Sequence, residues 1–212
     1  MSSGSEEHKP ITLYTSLDSQ YCHRVRYVLE EKKLKPDRVE IESGEVNEDL
    51  IEINSTGSLP TLLDRDTKLY NSMVIMEYLE ERYPSPPLMP AFPSPRAEAR
   101  IMMREMDREL SDNAEVLAHR SKNTKQYETA KETLRRYAVH LSMILGDRKF
   151  FLDSGISLVD CCAVPVLWRL KMLGISLPAR TTRSLRLYME RMFAREAFLE
   201  SMTVDEEEMN EL

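Results

Sequence analysis

Six of the eleven prolines of this chain crowd into one stretch, Pro84 to Pro95 (PSPPLMPAFPSP). Ring closure fixes φ and removes the amide donor, so neither a helix nor an interior strand is expected there. The stretch reads as a linker over 84–95, dividing a unit at 10–83 from a unit at 96–202 and leaving an acidic tail at 203–212. A length of 212 residues accommodates two small domains with real cores.

Ahead of the prolines the hydrophobic period changes repeatedly. ITLYT (11–15) and RVEIE (38–42) read as strands, with the helical YCHRVRYVLEEKK (21–33) between them. A crossover of that length makes the two strands parallel neighbours. A helix over 45–54, a hairpin from 60–64 and 68–70, and a helix over 73–83 started by Ser72 complete a βαβαββα unit. Beyond the prolines every strong signal is helical. Ser94 with Pro95 reads as an N-cap and first helical residue, followed by an apolar stripe of Met103, Met106, Leu110, Ala114 and Leu117. A second helix runs from Thr124 to Leu145 and stops at Gly146, with Leu134, Tyr137, Leu141 and Ile144 facing inward. A third starts at Ser157, where Asp160 stands three residues on as in a capping box; its apolar interior marks the core of the second unit. Shorter helices are expected at 182–193 and 195–201. The fold class is thus α/β plus all-α.

Apolar residues make up 42% and charged residues 31% of the chain, which excludes wholesale disorder and fibrous repeats. No apolar run approaches the ~18 residues of a membrane span, and Met1 to Pro10 lacks a basic-then-apolar leader, so a cytoplasmic protein is expected. Three cysteines, Cys22, Cys161 and Cys162, fit reduced thiols better than a disulfide framework. The net charge of −7 disfavours direct nucleic-acid binding. Asp205, Glu206, Glu207, Glu208 and Glu211 hold five of those charges in a tail expected to fray into solvent. The basic segment Arg169 to Arg195 spreads around a helix, as for ordinary solvation. His8, His23, His119 and His140 show no metal spacing, and six glycines form no phosphate loop. No metal or cofactor is expected. Met73, Met76, Met102, Met103 and Met106 suit either interior packing or an adaptable interface.

This element order, with Ser58-Leu59-Pro60, Asn71-Ser72 and Ser157-Leu158-Val159-Asp160, resembles the glutathione transferase fold over residues 11 to about 202: a thioredoxin-like domain followed by a helical one. Within that superfamily, PTLLDRD (60–66), LYNSMVIMEYLEERYPSPPLMP (69–90) and SLVDCCAVPVLWRLKMLGI (157–175) are similar to the stringent starvation protein A family of bacteria. The resemblance implies a cytoplasmic homodimer that binds RNA polymerase holoenzyme through its sigma factor, alone or with a second regulatory protein. It implies redirected transcription under starvation or stress without transferase activity, with DNA engaged only indirectly. The partner surface it implies comprises Arg65, Tyr83, Pro84, Ser85, Pro86 and Phe92. Relatives carry Pro-His-Pro in that turn, and this chain has Ser85 in place of the histidine.

The alternative is a glutathione-dependent transferase. A helix N-terminus stabilises an anion, and Ser19 at the start of the first helix resembles the serine of serine-type transferases. Disulfide exchange would need a cysteine at 19; Cys22 reads as a packed thiol. By resemblance, Pro60 is cis and exposes the Leu59 backbone to glutathione, while positions 71 and 72 bind its ammonium group. The pattern there in enzymes is Glu or Gln then Ser, the acid meeting that ammonium; Asn71 lacks the charge, and Ser72 reads as a helix cap. Ser19, Leu59, Pro60, Asn71 and Ser72 therefore constitute a vestigial glutathione site.

Overall fold

The computed structural model describes residues 11–42, 44–122 and 124–209; His8, the leader reading of Met1 to Pro10, and Glu211 lie outside them. Strands β1 (Thr12–Ser16) and β2 (Asp37–Ile41) flank helix α1 (Gln20–Glu31) and pair in parallel, Thr12 with Asp37 through Ser16 with Ile41. Helix α2 (Glu48–Ile53) follows, capped by Asn47. Strands β3 (Thr61–Asp64) and β4 (Thr67–Tyr70) form the hairpin, with β3 antiparallel to β1, giving the order β2-β1-β3-β4.

Helix α3 (Ser72–Arg82) corrects the reading of its cap. Asn71 is the N-cap, and its Oδ1 accepts from the amides of Met73 at 3.0 Å and Val74 at 3.4 Å. Its φ of +73° lies in the left-handed region that asparagine tolerates better than most residues. Ser72 is instead the first helical residue, buried, with its Oγ accepting from Arg24 Nε at 2.8 Å.

Helix α4 (Pro93–Met106) also starts earlier than expected, with Phe92 rather than Ser94 as N-cap. Pro93 and Pro95 fit because first-turn amides have no intrahelical acceptor to lose. The proline-rich stretch is not wholly a solvent-facing linker either: Leu88 and Met89 are buried, and the Leu88 carbonyl accepts from Leu158 N at 2.8 Å. A π-helical turn over Asp107–Ser111 joins α4 to α5 (Asp112–His119), and the expected stripe from Met103 to Leu117 is buried throughout. Helix α6 (Lys125–Leu145) is capped by Thr124 and closed by Gly146 at φ +50°.

Helix α7 (Leu158–Arg169) has the predicted capping box, with Asp160 Oδ2 accepting from Ser157 N at 2.9 Å and Ser157 Oγ at 2.8 Å. Asp160 also accepts from Phe151 N and the Tyr188 hydroxyl. Burial raises its pKa, and these hydrogen bonds oppose the shift. Helices α8 (Arg183–Phe193), α9 (Glu196–Ser201) and α10 (Val204–Glu208) complete the fold.

One apolar core runs from Leu13 and Leu62 of the sheet through α1 and α7 to Phe198, so the two sequence units share an interior. Tyr14, Ile41 and Leu50 form a small cluster of their own. Met76, Met103 and Met106 are buried, and Met73 and Met102 pack partly against the main core. Met76, Met103 and Met106 serve packing.

The acidic tail reading fails at Glu206, which is fully buried at the start of α10. Thr203 and Glu206 cap that helix reciprocally, and two buried arginines neutralise the carboxylate. One of them is Arg169, the first member of the basic segment read as solvated.

Candidate functional site

Strand register gathers the candidate glutathione residues at one sheet end. Tyr14 pairs with Thr61 and Thr61 with Tyr70, so Leu59-Pro60 and Asn71-Ser72 lie toward the β1 terminus that leads into Ser19. The Leu59–Pro60 bond is cis. Ser19 is the α1 N-cap, its Oγ accepting from Cys22 N at 3.4 Å. A cleft of about 520 Å³ opens there, lined by Ser19, Gln20, Glu115, His119, Arg169 and Met209 among others. Leu59, Pro60, Asn71 and Ser72 are not in its wall.

The chemistry of this end is subdued. Asn71 Oδ1 and Ser72 Oγ already have protein partners. Cys22 is buried, its Sγ accepting from Ser16 N at 3.3 Å, and burial pushes its thiol pKa up. Burial likewise raises Cys161 well above the ordinary range and Cys162 to about 11. A buried neutral thiol is a poor nucleophile. Among the described residues no group of three or more His, Cys, Asp or Glu side chains is placed to hold a metal ion, and no helix is long and apolar enough to cross a membrane.

Behind Ser19 lies a network that sequence reasoning missed. Glu206 faces Arg26 at 2.6 Å and also binds Arg169, with all three side chains at most 5% exposed. Arg26 further donates to Thr15 Oγ1 and to the carbonyls of Ser16 and Ser201; Arg169 donates to those of Asp18 and Pro165. Satisfying the remaining guanidinium donors in this way makes buried charge tolerable. His23 sits against the network, 3.2 Å from Arg169 Nη1 and 3.4 Å from Glu206 Oε1. Burial, then Arg169 and Arg26, hold its pKa well below the ordinary value. The spacing Thr203-x-x-Glu206 was the one local signal of this docking.

The predicted partner residues lie along the β3–β4 turn and the α3–α4 connection. Arg65 is exposed in the hairpin turn at φ +58°. Its neighbour Asp64 accepts from the Tyr83 hydroxyl at 3.0 Å, tying Tyr83 to that turn. Pro84, Ser85 and Pro86 are exposed, and Phe92 is 75% exposed at the start of α4. Beneath the turn, Lys32 Nζ donates to the carbonyls of Tyr83 at 2.7 Å and Pro86 at 3.0 Å and pairs with Glu80 at 2.7 Å. Glu80 accepts from the amides of Leu88 at 3.0 Å and Met89 at 3.1 Å. Lys32 and Glu80 lie 48 residues apart, and neither neighbourhood carries a motif that announces the pair.

This fold is that of the glutathione S-transferase class. Residues 13–87 match the family model of the glutathione S-transferase N-terminal domain, and residues 78–196 that of the C-terminal domain. A Tau class glutathione S-transferase from mango superposes with a TM-score of 0.83 at 21% identity, covering 96% of this chain and 97% of that one. Glutathione transferase Omega 3C from Trametes versicolor gives 0.82 at 20% identity, covering 93% and 92%. At such identities the likeness establishes the fold alone. Stringent starvation protein A homologs are nearer: that of Coxiella burnetii is 38% identical over 95% of this chain and 96% of its own length. The homolog of Haemophilus influenzae is 38% identical over 95% and 94%. The chain belongs to the stringent starvation protein A family.

Proposed function

We propose that this protein is a cytoplasmic, homodimeric transcription regulator that binds RNA polymerase holoenzyme through its sigma factor and redirects transcription under starvation or stress. The observation that carries the reading is the exposed Pro84-Ser85-Pro86 turn, preceded by Tyr83, whose hydroxyl is tied to Asp64 next to Arg65, followed by the exposed Phe92, and braced from below by a buried ion pair. Rigid rings lose little entropy on docking, and exposed aromatics anchor protein interfaces. Kinship with stringent starvation proteins supports the same reading. Contact with DNA is indirect, consistent with the net charge of −7. Ser85 in the turn means that recognition uses ring shape and backbone rather than an imidazole.

The test is capture of purified holoenzyme by the full chain. Pro84→Ala with Phe92→Ala, both exposed, should weaken capture at least tenfold, or about 1.4 kcal/mol, while melting changes by no more than about 0.5 kcal/mol. A folded variant that binds like the parent would remove this surface from the reading.

One observation favours a second reading, a glutathione-dependent transferase: Ser19 lines the cleft at the α1 N-terminus. Turnover abolished by Ser19→Ala would establish it.

A further inference from the structure

We infer that Lys32 and Glu80 are positioning residues for the partner-binding turn, setting the spacing of its backbone before any partner arrives. The inference rests on the reading of that turn as a polymerase contact surface.

Lys32 is the C-cap residue of α1, and its side chain is fully buried. An ammonium has three donors, and all three have acceptors here: the carbonyls of Tyr83 and Pro86 and the carboxylate of Glu80. Glu80 then reaches forward to the amides of Leu88 and Met89. The pair therefore grips four backbone groups, two on either side of Pro87, and spans the exposed prolines from beneath. Stability alone does not call for such a device. In an exposed turn water serves carbonyls well, whereas stripping a strongly hydrated ammonium of its shell is costly and is repaid only by excellent geometry. What the arrangement supplies is a fixed distance between Tyr83 and Pro86 and a fixed exit toward Leu88. Holding a docking segment in its bound shape in advance removes the ordering cost of association.

Two variants of the full chain test this. Glu80→Asp keeps the charge pair but shortens the side chain by one methylene, so that it cannot serve Lys32 and both amides together. Lys32→Met with Glu80→Gln removes both charges at nearly constant volume. Each should exchange the Leu88 and Met89 amides at least tenfold faster while exchange at Leu13 in β1 stays as in the parent, and each should bind holoenzyme at least tenfold more weakly. A purely structural role would speed exchange throughout the core alike. Parent-like holoenzyme affinity in a variant with fast Leu88 and Met89 exchange would overturn the inference. So would unchanged exchange in both variants, or failure of both to fold. Pro84→Ala with Phe92→Ala separates the two ideas: if it weakens binding while the Lys32 and Glu80 variants do not, positioning alone is wrong. If it binds like the parent, or if the parent does not bind holoenzyme, the surface reading fails and the positioning role fails with it.

Discussion

The Glu206 carboxylate meets the Arg26 guanidinium at 2.6 Å with both side chains wholly out of water, joining the last helix to the first across 180 residues of sequence. Arg169 on α7 shares the same carboxylate. Helix α10 is thereby part of the folded body, and the consequence is measurable.

Glu206→Gln leaves two buried guanidinium groups without their counter-charge, the situation in which breaking a buried pair costs about 3–5 kcal/mol. Glu207→Gln, one residue on and exposed, should stay within about 0.5 kcal/mol. Urea unfolding of the two variants beside the parent checks the difference; equal midpoints would refute the account of the tail.

His23 should make stability depend on pH. Its folded pKa lies well below 6.5 because burial and the neighbouring Arg169 and Arg26 oppose its cation, while Glu206 on the same side is already engaged by both arginines. Below about pH 6.5 the unfolded chain takes up a proton that the native state refuses. Stability is therefore full above that pH and falls beneath it, by up to about 1.4 kcal/mol per pH unit until the folded pKa is reached. Thermal melting between pH 7.5 and 5.5 should slope less in His23→Gln than in the parent.

Purified protein should show no measurable conjugation of glutathione to a standard electrophile. Asn71 offers no charge for the ligand's ammonium, and its Oδ1 is engaged in capping α3. Ser19→Ala should cost about 1 kcal/mol of stability as a lost N-cap and change no turnover.

Dimerisation should use the outer faces of α3 and α4. Val74 is 51% and Ile101 61% exposed, and Arg100 forks onto Glu77 between the two helices at 2.8–3.1 Å. Light scattering should report twice the 24.7 kDa chain mass and fall toward the single mass in Ile101→Asp. A single mass for the parent at micromolar concentration would contradict this interface.

The order of elements through α9, their boundaries to within a few residues and the parallel pairing of β1 with β2 were legible in the chain, whereas α10 fell in the stretch read as a frayed tail. Alternating and 3.6-residue periods are local consequences of which face meets the core. The same holds for the Ser157–Asp160 cap and the stripe from Met103 to Leu117, whose partners lie within a turn or two. Family strings carried the kinship. The choice of Asn71 over Ser72 as cap was not legible, because Ser72 was diverted by an arginine 48 residues away. Tertiary structure alone decided that Glu206 is buried, that Arg169 is not a surface cation and that Lys32 and Glu80 brace the proline turn. Charge in a sequence reads as solvated by default, since burying it unpaired is prohibitive. Whether a partner of opposite charge waits across the fold depends on three-dimensional proximity between residues tens to nearly two hundred positions apart, and no local period records that.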